Sequence, residues 1–293
     1  MIWLIGNKGM LGTEISLLLE QSGFPFVGTD REVDITDPAA LREFSRSQSK
    51  PIEWIVNCAA YTAVDRAEDD KEYCRLLNTE GPWNIAVSAK EIGAKLIHIS
   101  TDYVFNGQGN KPYTEEDATD PTGVYGLTKR DGEAKVLEGN SKTYIIRTAW
   151  LYGKYGNNFI HTMLRLMKEK ESVSVVNDQR GSPTWARDLA GTIITFIRLV
   201  NEGKTIPYGI YHYTNEGEIS WFDFAGEIYA QAKALGILTK DCDVKPCTSA
   251  EFPAKVKRPA YSVLDKTKIK NTLGITIPAW NESLGKFLKE INQ

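Results

Sequence analysis

The fold of this chain is decided by residues 2–12, which read Ile-Trp-Leu-Ile-Gly-Asn-Lys-Gly-Met-Leu-Gly. The first four residues are apolar, which predicts a strand inside a sheet. Gly6 permits a tight turn, Gly9 allows backbone to approach a pyrophosphate, and Gly12 lets the next helix pack closely on the strand. Apolar residues then recur at helical spacing as far as Leu19. This pattern predicts a dinucleotide-binding turn with phosphate at a helix N-terminus.

Composition narrows the class of protein. Hydrophobic residues make up 42% and charged residues 25% of the 293 positions, which are ordinary values for a chain with a packed core. A formal net charge of -3 argues against a nucleic-acid-binding surface. We expect no membrane partner, because no apolar run approaches the roughly 18 residues that a membrane helix needs. Four scattered cysteines without a CxxC pattern favour reduced thiols and a cytoplasmic location.

Strand and helix patterns alternate in the first half of the chain. The strands are predicted at 2–5, 24–30, 52–58, 95–100 and 143–148, with a helix at 81–92. Such alternation predicts an α/β fold of Rossmann type, with a doubly wound parallel sheet. After residue 150 the segments become shorter and richer in turns. We therefore expect a nucleotide-binding domain at 1–150, with 188–213 returning to its sheet. Residues 151–187 and 214–293 are expected to form a smaller C-terminal α/β substrate lobe.

Polar and small residues follow the predicted strands where a bound dinucleotide would lie. Asp30 stands 18 residues after Gly12, close to the position from which an acid hydrogen-bonds the adenosine ribose. Arg31 could instead bind a 2′-phosphate, so NADH and NADPH both remain open as cofactors. Ala59 and Ala60 are small enough for backbone to lie against a cofactor, although close packing explains them equally well.

A second pattern combines a tyrosine and a lysine. Tyr125 and Lys129 are one helical turn apart and share a helix face. An ammonium beside a phenol lowers the pKa of the phenol, which suits it to proton transfer near neutral pH. Tyr229 and Lys233 have the same spacing, but they lie in an apolar helix of the predicted smaller lobe. Tyr125 follows the fourth predicted strand, with the Thr101 hydroxyl near it, and is therefore the better candidate.

Together these motifs resemble the extended short-chain dehydrogenase/reductases, and within them most closely the dTDP-4-dehydrorhamnose reductase family. The similarity covers nearly the whole chain. The matching stretches are 6–12, 56–65, 100–107, 125–129, 147–152, 157–159 and 178–184, with Arg258, Pro259, Ser262 and Leu264.

The resemblance implies hydride transfer from NADPH or NADH to the C4 carbonyl of dTDP-4-dehydro-β-L-rhamnose, giving dTDP-L-rhamnose. Tyr125 would protonate the new alkoxide, Lys129 would lower its pKa and hold the nicotinamide ribose, and Thr101 would hydrogen-bond the carbonyl oxygen. The implied cofactor-binding residues are Gly6, Lys8, Gly9, Met10, Leu11, Gly12, Asp30, Arg31, Asp34, Ile35, Ala59, Ala60, Tyr61, Ser100, Tyr125 and Lys129. The implied substrate-binding residues are Val64, Thr101, Asp102, Tyr103, Val104, Trp150, Asn158 and Phe159.

Two positions distinguish this chain within that superfamily. Related sugar-nucleotide dehydratases place a glutamate after the Thr-Asp pair, whereas this chain has Tyr103 there, which favours reduction. Some members of the resembling family bind magnesium through acidic residues at a dimer contact. Glu14 matches one such position, but Arg187 stands where another acid would be needed. We therefore expect no metal, and a monomer or weak homodimer.

Two alternative functions remain open at this point. A relative of the same family is a non-catalytic regulatory subunit of methionine adenosyltransferase, so the fold alone does not establish catalysis. Reductases of other dTDP-4-keto-deoxysugars share the same motifs. The presence of Thr101, Tyr125 and Lys129 together favours reduction, because a binding subunit would not require them.

Overall fold

The computed structural model describes residues 1–252 and 254–293. Its strands are β1 (Ile2–Ile5), β2 (Phe26–Thr29), β3 (Trp54–Asn57), β4 (Lys95–Thr101), β5 (Thr143–Thr148), β6 (Leu151–Tyr152), β7 (Ser172–Val176), β8 (Arg180–Gly181), β9 (Thr184–Trp185), β10 (Gly209–His212), β11 (Ile219–Ser220) and β12 (Asp243–Cys247). Its α-helices are α1 (Met10–Ser22), α2 (Pro38–Ser47), α3 (Val64–Ala67), α4 (Lys71–Arg75), α5 (Gly81–Glu91), α6 (Val124–Gly139), α7 (Phe159–Glu169), α8 (Ala186–Asn201), α9 (Trp221–Ala234), α10 (Thr267–Leu273) and α11 (Trp280–Ile291).

Six parallel strands form the central sheet in the order β10-β5-β4-β3-β1-β2. The predicted doubly wound parallel sheet is therefore confirmed. The chain leaves β1 toward β2 on one side, and later strands extend the sheet on the other side through β3. Ligands of such sheets bind beyond the carboxyl ends of the strands, at the point where the strand order reverses. The glycine turn after β1 lies at that point.

Side chains of the sheet alternate between two apolar layers, as the two-residue period of a strand requires. Ile2 and Leu4 pack with α1 and α8, whereas Trp3 and Ile5 pack with α2 and α5. All four side chains are buried, which explains why β1 is apolar throughout. Residue Gly209 of β10 begins the edge strand that pairs in parallel with β5.

A separate apolar cluster lies outside these two layers. It joins α7, α9 and α11 with the pair of strands β7 and β12, and its largest buried side chains include Tyr152, Phe224 and Phe287. This cluster contributes one wall of the cavity described below. Within the part of the chain that the structure describes, no helix is both long and apolar enough to cross a membrane.

The helix predicted at 81–92 is observed as α5 (Gly81–Glu91), but it does not begin from a loop. Helix α4 continues through a π-helical segment (Leu76–Glu80) directly into α5, so Pro82 does not mark a new start. The wider π turn brings the Asn78 carbonyl against α6, where a Cβ on Gly132 would lie only 2.0 Å from it. The π-helical segment therefore packs closely against Gly132, and the sequence pattern did not predict this segment.

Candidate active site

The turn after β1 has the shape that a pyrophosphate needs. Gly6 has a φ of +77°, and a Cβ there would lie 2.8 Å from the Ala59 nitrogen. A Cβ on Gly12 would lie 2.1 Å from the Gly6 oxygen, so the close packing of α1 requires glycine at that position. Helix α1 begins at Met10 and has no side-chain cap. Its first N–H groups remain available for the phosphates of a dinucleotide, which this cradle therefore fits.

The loop after β2 carries the residues predicted to contact the ribose. Asp30 is partly buried and Arg31 is exposed. Glu32, which the sequence analysis did not assign, accepts the Asp30 N–H at 2.9 Å and pairs with Lys8 at 3.2 Å. Lys8 of the glycine turn is thereby linked to the loop after β2. Asp34 is exposed and Ile35 is buried in the sheet layer that faces α2 and α5.

The loop after β3 is held from two sides by side-chain amides. The Asn57 Oδ1 accepts the Ala59 N–H at 3.0 Å. Asn78, from the π-helical segment, accepts the Tyr61 N–H at 2.8 Å and donates to the Tyr61 carbonyl at 3.0 Å. The backbone predicted to lie against the cofactor is therefore rigidly placed. The role of Asn78 was not predicted from the sequence, because no local motif indicates a contact 17 residues away.

At the carboxyl end of β4, Thr101 and Asp102 form a buried polar pair. Thr101 Oγ1 donates to Asp102 Oδ1 at 3.0 Å and accepts the Tyr103 N–H at 3.2 Å. Among the described residues, the other carboxyl oxygen of Asp102 has no hydrogen-bond partner. Burial raises the pKa of Asp102 to about 7, so this carboxyl group takes up a proton close to neutral pH.

Tyr125 and Lys129 lie beside this pair on α6. Burial raises the pKa of the Tyr125 phenol, and a hydrogen bond to Thr101 acts in the opposite direction. The Lys129 amine donates to the Ile99 carbonyl at 2.7 Å, and burial lowers the pKa of Lys129 to about 8. This result differs from the expectation that Lys129 lowers the pKa of Tyr125. In this arrangement desolvation is the larger effect, and it keeps the phenol protonated.

Next to these groups is a cavity of about 590 Å³. Its lining residues are Asp65, Asp102, Tyr103, Trp150, Phe159, Met163, Ser174, Val175, Val176, Gln179, Trp221, Phe252, Ala254, Lys255, Arg258, Pro259 and Ser262. The predicted substrate residues Asp102, Tyr103, Trp150 and Phe159 are among them. The cavity combines aromatic surface with a small number of polar and charged groups, which is typical of a site for a nucleotide-like ligand.

The aromatic wall depends on an unusual backbone conformation. Trp150 has a φ of +47°, the sole positive value at a non-glycine residue among the described residues. Its ring stacks on Trp221 with centroids 3.6 Å apart, and Phe159 packs on Trp221 with centroids at 4.5 Å. A Cβ on Gly181 would lie 2.5 Å from the Trp150 ring, so glycine is required behind it. Strained conformations of this kind often occur at functional sites.

Four predicted substrate residues do not line the cavity. Thr101 instead donates to Asp102, which does line it. Val104 is fully buried in a small cluster with Phe105 and Leu264, which corrects its expected place in the substrate wall. Asn158 caps α7 by accepting the Ile160 and His161 N–H groups, so its carbonyl oxygen already has partners. Val64 begins the short helix α3 and does not reach the cavity.

Several residues that line the cavity were not predicted from the sequence. Asp65 and Arg258 lie in motifs that the resemblance uses, and the structure joins them in an ion pair, with Arg258 also donating to the Tyr103 hydroxyl at 3.2 Å. Lys255 pairs in the same way with Asp69. Trp221 carries no sequence signal, since it begins an ordinary apolar helix and reaches Trp150 only through the fold.

The possible magnesium position does not fit a metal ion. Glu14 is buried, and burial together with Glu290 raises its pKa. Arg187 donates to Glu290 at 2.9 Å, so a guanidinium group, which cannot bind a cation, lies beside these two carboxyl groups. Among residues 1–252 and 254–293, no three His, Cys, Asp or Glu side chains are grouped so that they could hold an ion. The expected absence of metal remains a prediction.

Replacing Asp102 by asparagine is expected to stabilise the protein near neutral pH. The folded-state pKa of about 7 lies above the ordinary value of 3.8, so Asp102 lowers stability progressively from about pH 4 and fully above about pH 7. A difference of roughly three pKa units corresponds to at most about 4 kcal/mol. Thermal unfolding of Asp102→Asn and wild type at pH 4, 6 and 8 measures this, and the gain should grow with pH.

Asp117 provides a matched control of opposite sign. Hydrogen bonds from the Thr114 backbone and hydroxyl lower the pKa of Asp117, so its stabilising effect is present at neutral pH and is lost in acid. Asp117→Asn is therefore expected to destabilise the protein at pH 8. Equal changes in both variants at all three pH values would contradict the assignment of a protonated Asp102.

Comparison with known proteins gives consistent matches over the whole chain. A sequence model of the RmlD substrate binding domain family matches residues 1–293. A dTDP-4-dehydrorhamnose reductase from Aggregatibacter actinomycetemcomitans is 40% identical over 281 residues, which are 95% of this chain and 95% of that protein. The crystal structure of a dTDP-4-dehydrorhamnose reductase from Clostridium acetobutylicum has a TM-score of 0.91 at 40% identity, covering 100% of this chain and 99% of that chain. A dTDP-4-dehydrorhamnose reductase structure from Bacillus anthracis, in complex with NADP, has a TM-score of 0.90 at 37% identity, covering 99% of this chain and 98% of that chain.

Proposed function

This chain belongs to the RmlD substrate binding domain family, and on that basis we propose that it is an NAD(P)H-dependent dTDP-4-dehydrorhamnose reductase. The observation that carries this function is the convergence of Thr101, Tyr125 and Lys129 at the carboxyl end of β4. Tyr125 contacts Thr101 and Lys129 contacts the Ile99 carbonyl, and the two residues that follow Thr101 line the cavity with aromatic walls. The family resemblance inferred from the sequence is confirmed, and the regulatory alternative is not supported.

Reduction of a ketone requires a hydride on carbon and a proton on oxygen. The nicotinamide, when bound, supplies the hydride. Tyr125 supplies the proton, because its buried phenol is protonated at neutral pH and lies beside the Thr101 hydroxyl. A general acid must hold its proton until negative charge develops on the substrate oxygen. The raised pKa of Tyr125 therefore suits the direction of reduction, and transfer becomes favourable as the alkoxide forms.

Thr101 is the second group that we propose for the carbonyl oxygen. In the structure its hydroxyl donates to Asp102, so this proton is not free while Asp102 is ionised. A protonated Asp102 can instead donate to Thr101 Oγ1, which releases the Thr101 proton for the substrate oxygen. Hydrogen bonds of this kind contribute most where charge develops in the transition state. Asp102 thus sets the direction in which Thr101 donates.

The proposed sugar-nucleotide site is the 590 Å³ cavity. Trp150, Phe159 and Trp221 offer stacking surface for thymine and for the apolar face of a deoxysugar. Lys255 and Arg258 provide the positive charges that a diphosphate requires, although both pair with aspartates in the structure. We propose that the diphosphate competes with Asp65 and Asp69 for these two cations.

We also propose a division of labour along the chain. Residues 1–150, with 188–213 at the sheet edge, hold the cofactor, and residues 151–187 and 214–293 supply most of the sugar-nucleotide wall. A monomer or weak homodimer is supported by the Arg187–Glu290 pair, which removes the acidic cluster that a bridging metal would need. A cytoplasmic location agrees with the use of a nucleotide-activated sugar and a nicotinamide cofactor.

Turnover of NADPH and NADH with dTDP-4-dehydro-β-L-rhamnose tests the proposed function directly. Oxidation of either cofactor with formation of dTDP-L-rhamnose is the expected result, and the ratio of the two rates gives the cofactor preference. A second dTDP-4-keto-deoxysugar, epimeric in the ring, serves as the control substrate. Faster turnover of this control would assign the chain to a sibling reductase. Binding of NADPH without turnover of either sugar would contradict reduction.

A further inference from the structure

A buried chain of three polar side chains lies behind the proposed catalytic groups. The Asn57 Nδ2 is 3.0 Å from the Nδ1 of His98, and the Nε2 of His98 is 3.4 Å from the Nζ of Lys129. His98 has no exposed surface. No step described so far uses His98 or the side-chain nitrogen of Asn57. The order of hydrogen-bond donors and acceptors along these three side chains nevertheless influences the protonation state of Lys129.

The orientation of the Asn57 amide is determined by the backbone. Its Oδ1 accepts the Ala59 N–H at 3.0 Å, and a flipped amide would place an NH₂ group against that N–H. The Nδ2 of Asn57 therefore faces His98 and must donate, so the Nδ1 of His98 is the acceptor. A neutral imidazole has one N–H, which must then be on Nε2. The Nε2–H of His98 points toward the Lys129 amine.

This arrangement conflicts with a fully protonated Lys129. An ammonium has three donors and no acceptor, so the Nε2–H of His98 finds no lone pair there. A neutral amine has one lone pair, which can accept the Nε2–H while a remaining N–H donates to the Ile99 carbonyl. His98 itself stays neutral, because burial and the neighbouring Lys129 hold the pKa of His98 well below its ordinary value.

Other groups that face Lys129 act in the opposite direction. Glu133, one helical turn further along α6, favours the ammonium, as do the thiols of Cys58 after β3 and Cys74 on α4. Glu133 is itself paired with Arg147 at 2.7 Å, which offsets much of its charge. Burial disfavours the ammonium and is the largest of these effects, so the pKa of Lys129 falls to about 8. The contact with the Nε2–H of His98 disfavours the ammonium in addition to burial.

We propose that His98 is a positioning residue whose Nε2–H, directed by Asn57, disfavours the ammonium form of Lys129. Lys129 is then able to take up or release a proton during the cycle instead of remaining a permanent cation. The consequence for turnover rests on the proposed reductase function. The hydrogen-bond arrangement itself does not depend on that function.

His212 provides a control within the same molecule. Its Nδ1 lies 3.1 Å from the Tyr113 carbonyl, which can only accept, and its Nε2 lies 3.4 Å from the Arg147 guanidinium, which can only donate. His212 must therefore carry its proton on Nδ1, the opposite of His98. Its two contacts are both satisfied by this form, whereas those of His98 are satisfied only when Lys129 is neutral.

Nitrogen NMR of the three histidines tests this assignment without any assay of activity. Protein labelled with ¹⁵N-histidine is measured by long-range ¹H–¹⁵N correlation from pH 6 to pH 9, and His98→Gln and His212→Gln assign the signals. We expect the Nε2–H pattern for His98 and the Nδ1–H pattern for His212. An Nδ1–H pattern for His98, or a charged His98, would overturn the proposal. Absence of turnover would not affect this result.

A second experiment tests the effect on Lys129 through NADPH binding. We compare wild type with Asn57→Asp, whose carboxylate accepts from Nδ1 and moves the His98 proton there, and with His98→Gln, whose carbonyl can accept from Lys129. If a substitution raises the pKa of Lys129 by about one unit, the fraction of Lys129 in the ammonium form at pH 9 rises about fivefold. The loss of NADPH affinity above pH 8 should therefore shift upward by about one pH unit. An equal loss of affinity at every pH would indicate a merely structural role and refute the proposal.

Discussion

Tyr125→Phe is expected to reduce the turnover number about 10²–10⁴-fold, the usual contribution of a positioned general acid. The substitution removes the phenol proton and leaves the ring that packs against Tyr103, whose centroid lies 5.4 Å away. The fold and the affinity for NADPH should therefore change little. Steady-state oxidation of NADPH with dTDP-4-dehydro-β-L-rhamnose, together with NADPH binding by fluorescence, measures both quantities.

Tyr229→Phe is the matched control for this substitution. Tyr229 and Lys233 have the same spacing as Tyr125 and Lys129, but Tyr229 lies on α9 and its hydroxyl donates to Asp241 at 3.2 Å. Removing that hydroxyl should leave turnover unchanged. Retention of more than about a tenth of wild-type turnover by Tyr125→Phe would contradict its role as proton donor, since general acid catalysis contributes about 10²-fold or more.

Arg147→Met is expected to destabilise the protein by about 3–5 kcal/mol, the usual effect of removing one partner from a buried ion pair. Arg147 on β5 makes two hydrogen bonds to Glu133 on α6, at 2.9 and 2.7 Å. The two side chains are only 3% and 5% exposed, so the substitution would leave a buried carboxylate without its partner. Since 1 kcal/mol corresponds to about 2–4 °C in a chain of this size, we expect the melting temperature to fall by about 10 °C.

The control for this prediction is an exposed pair of the same composition. Arg165 and Glu169 are 3.1 Å apart on α7, with side chains 60% and 55% exposed. Arg165→Met should cost no more than about 0.5 kcal/mol, because water and salt screen such pairs. Urea unfolding of both variants compares the two values. A loss below about 1 kcal/mol for Arg147→Met would show that the buried pair can rearrange.

The predicted and observed strands differ mainly in the residues at which they begin and end. Residues 143–148 were predicted as a strand and are observed with the same bounds, and all six residues are buried in the middle of the sheet. The strand predicted at 24–30 is shorter, Phe26–Thr29, since hydrogen bonding to β1 determines where it begins and ends. Sequence patterns therefore predict that a strand is present more reliably than they predict the residues at which it begins and ends.

The sequence by itself predicted the parallel α/β sheet, the glycine turn and, as candidate catalytic residues, Thr101, Tyr125 and Lys129. Each of these depends on local patterns of burial, turn geometry or helical spacing, which are read from neighbouring residues. Only the tertiary structure placed Trp221 against Trp150, Asn78 against Tyr61 and His98 against Lys129. These contacts join distant parts of the chain. Burial, which reversed the expected shift in the pKa of Tyr125, is likewise a property of the packed molecule and of no single segment.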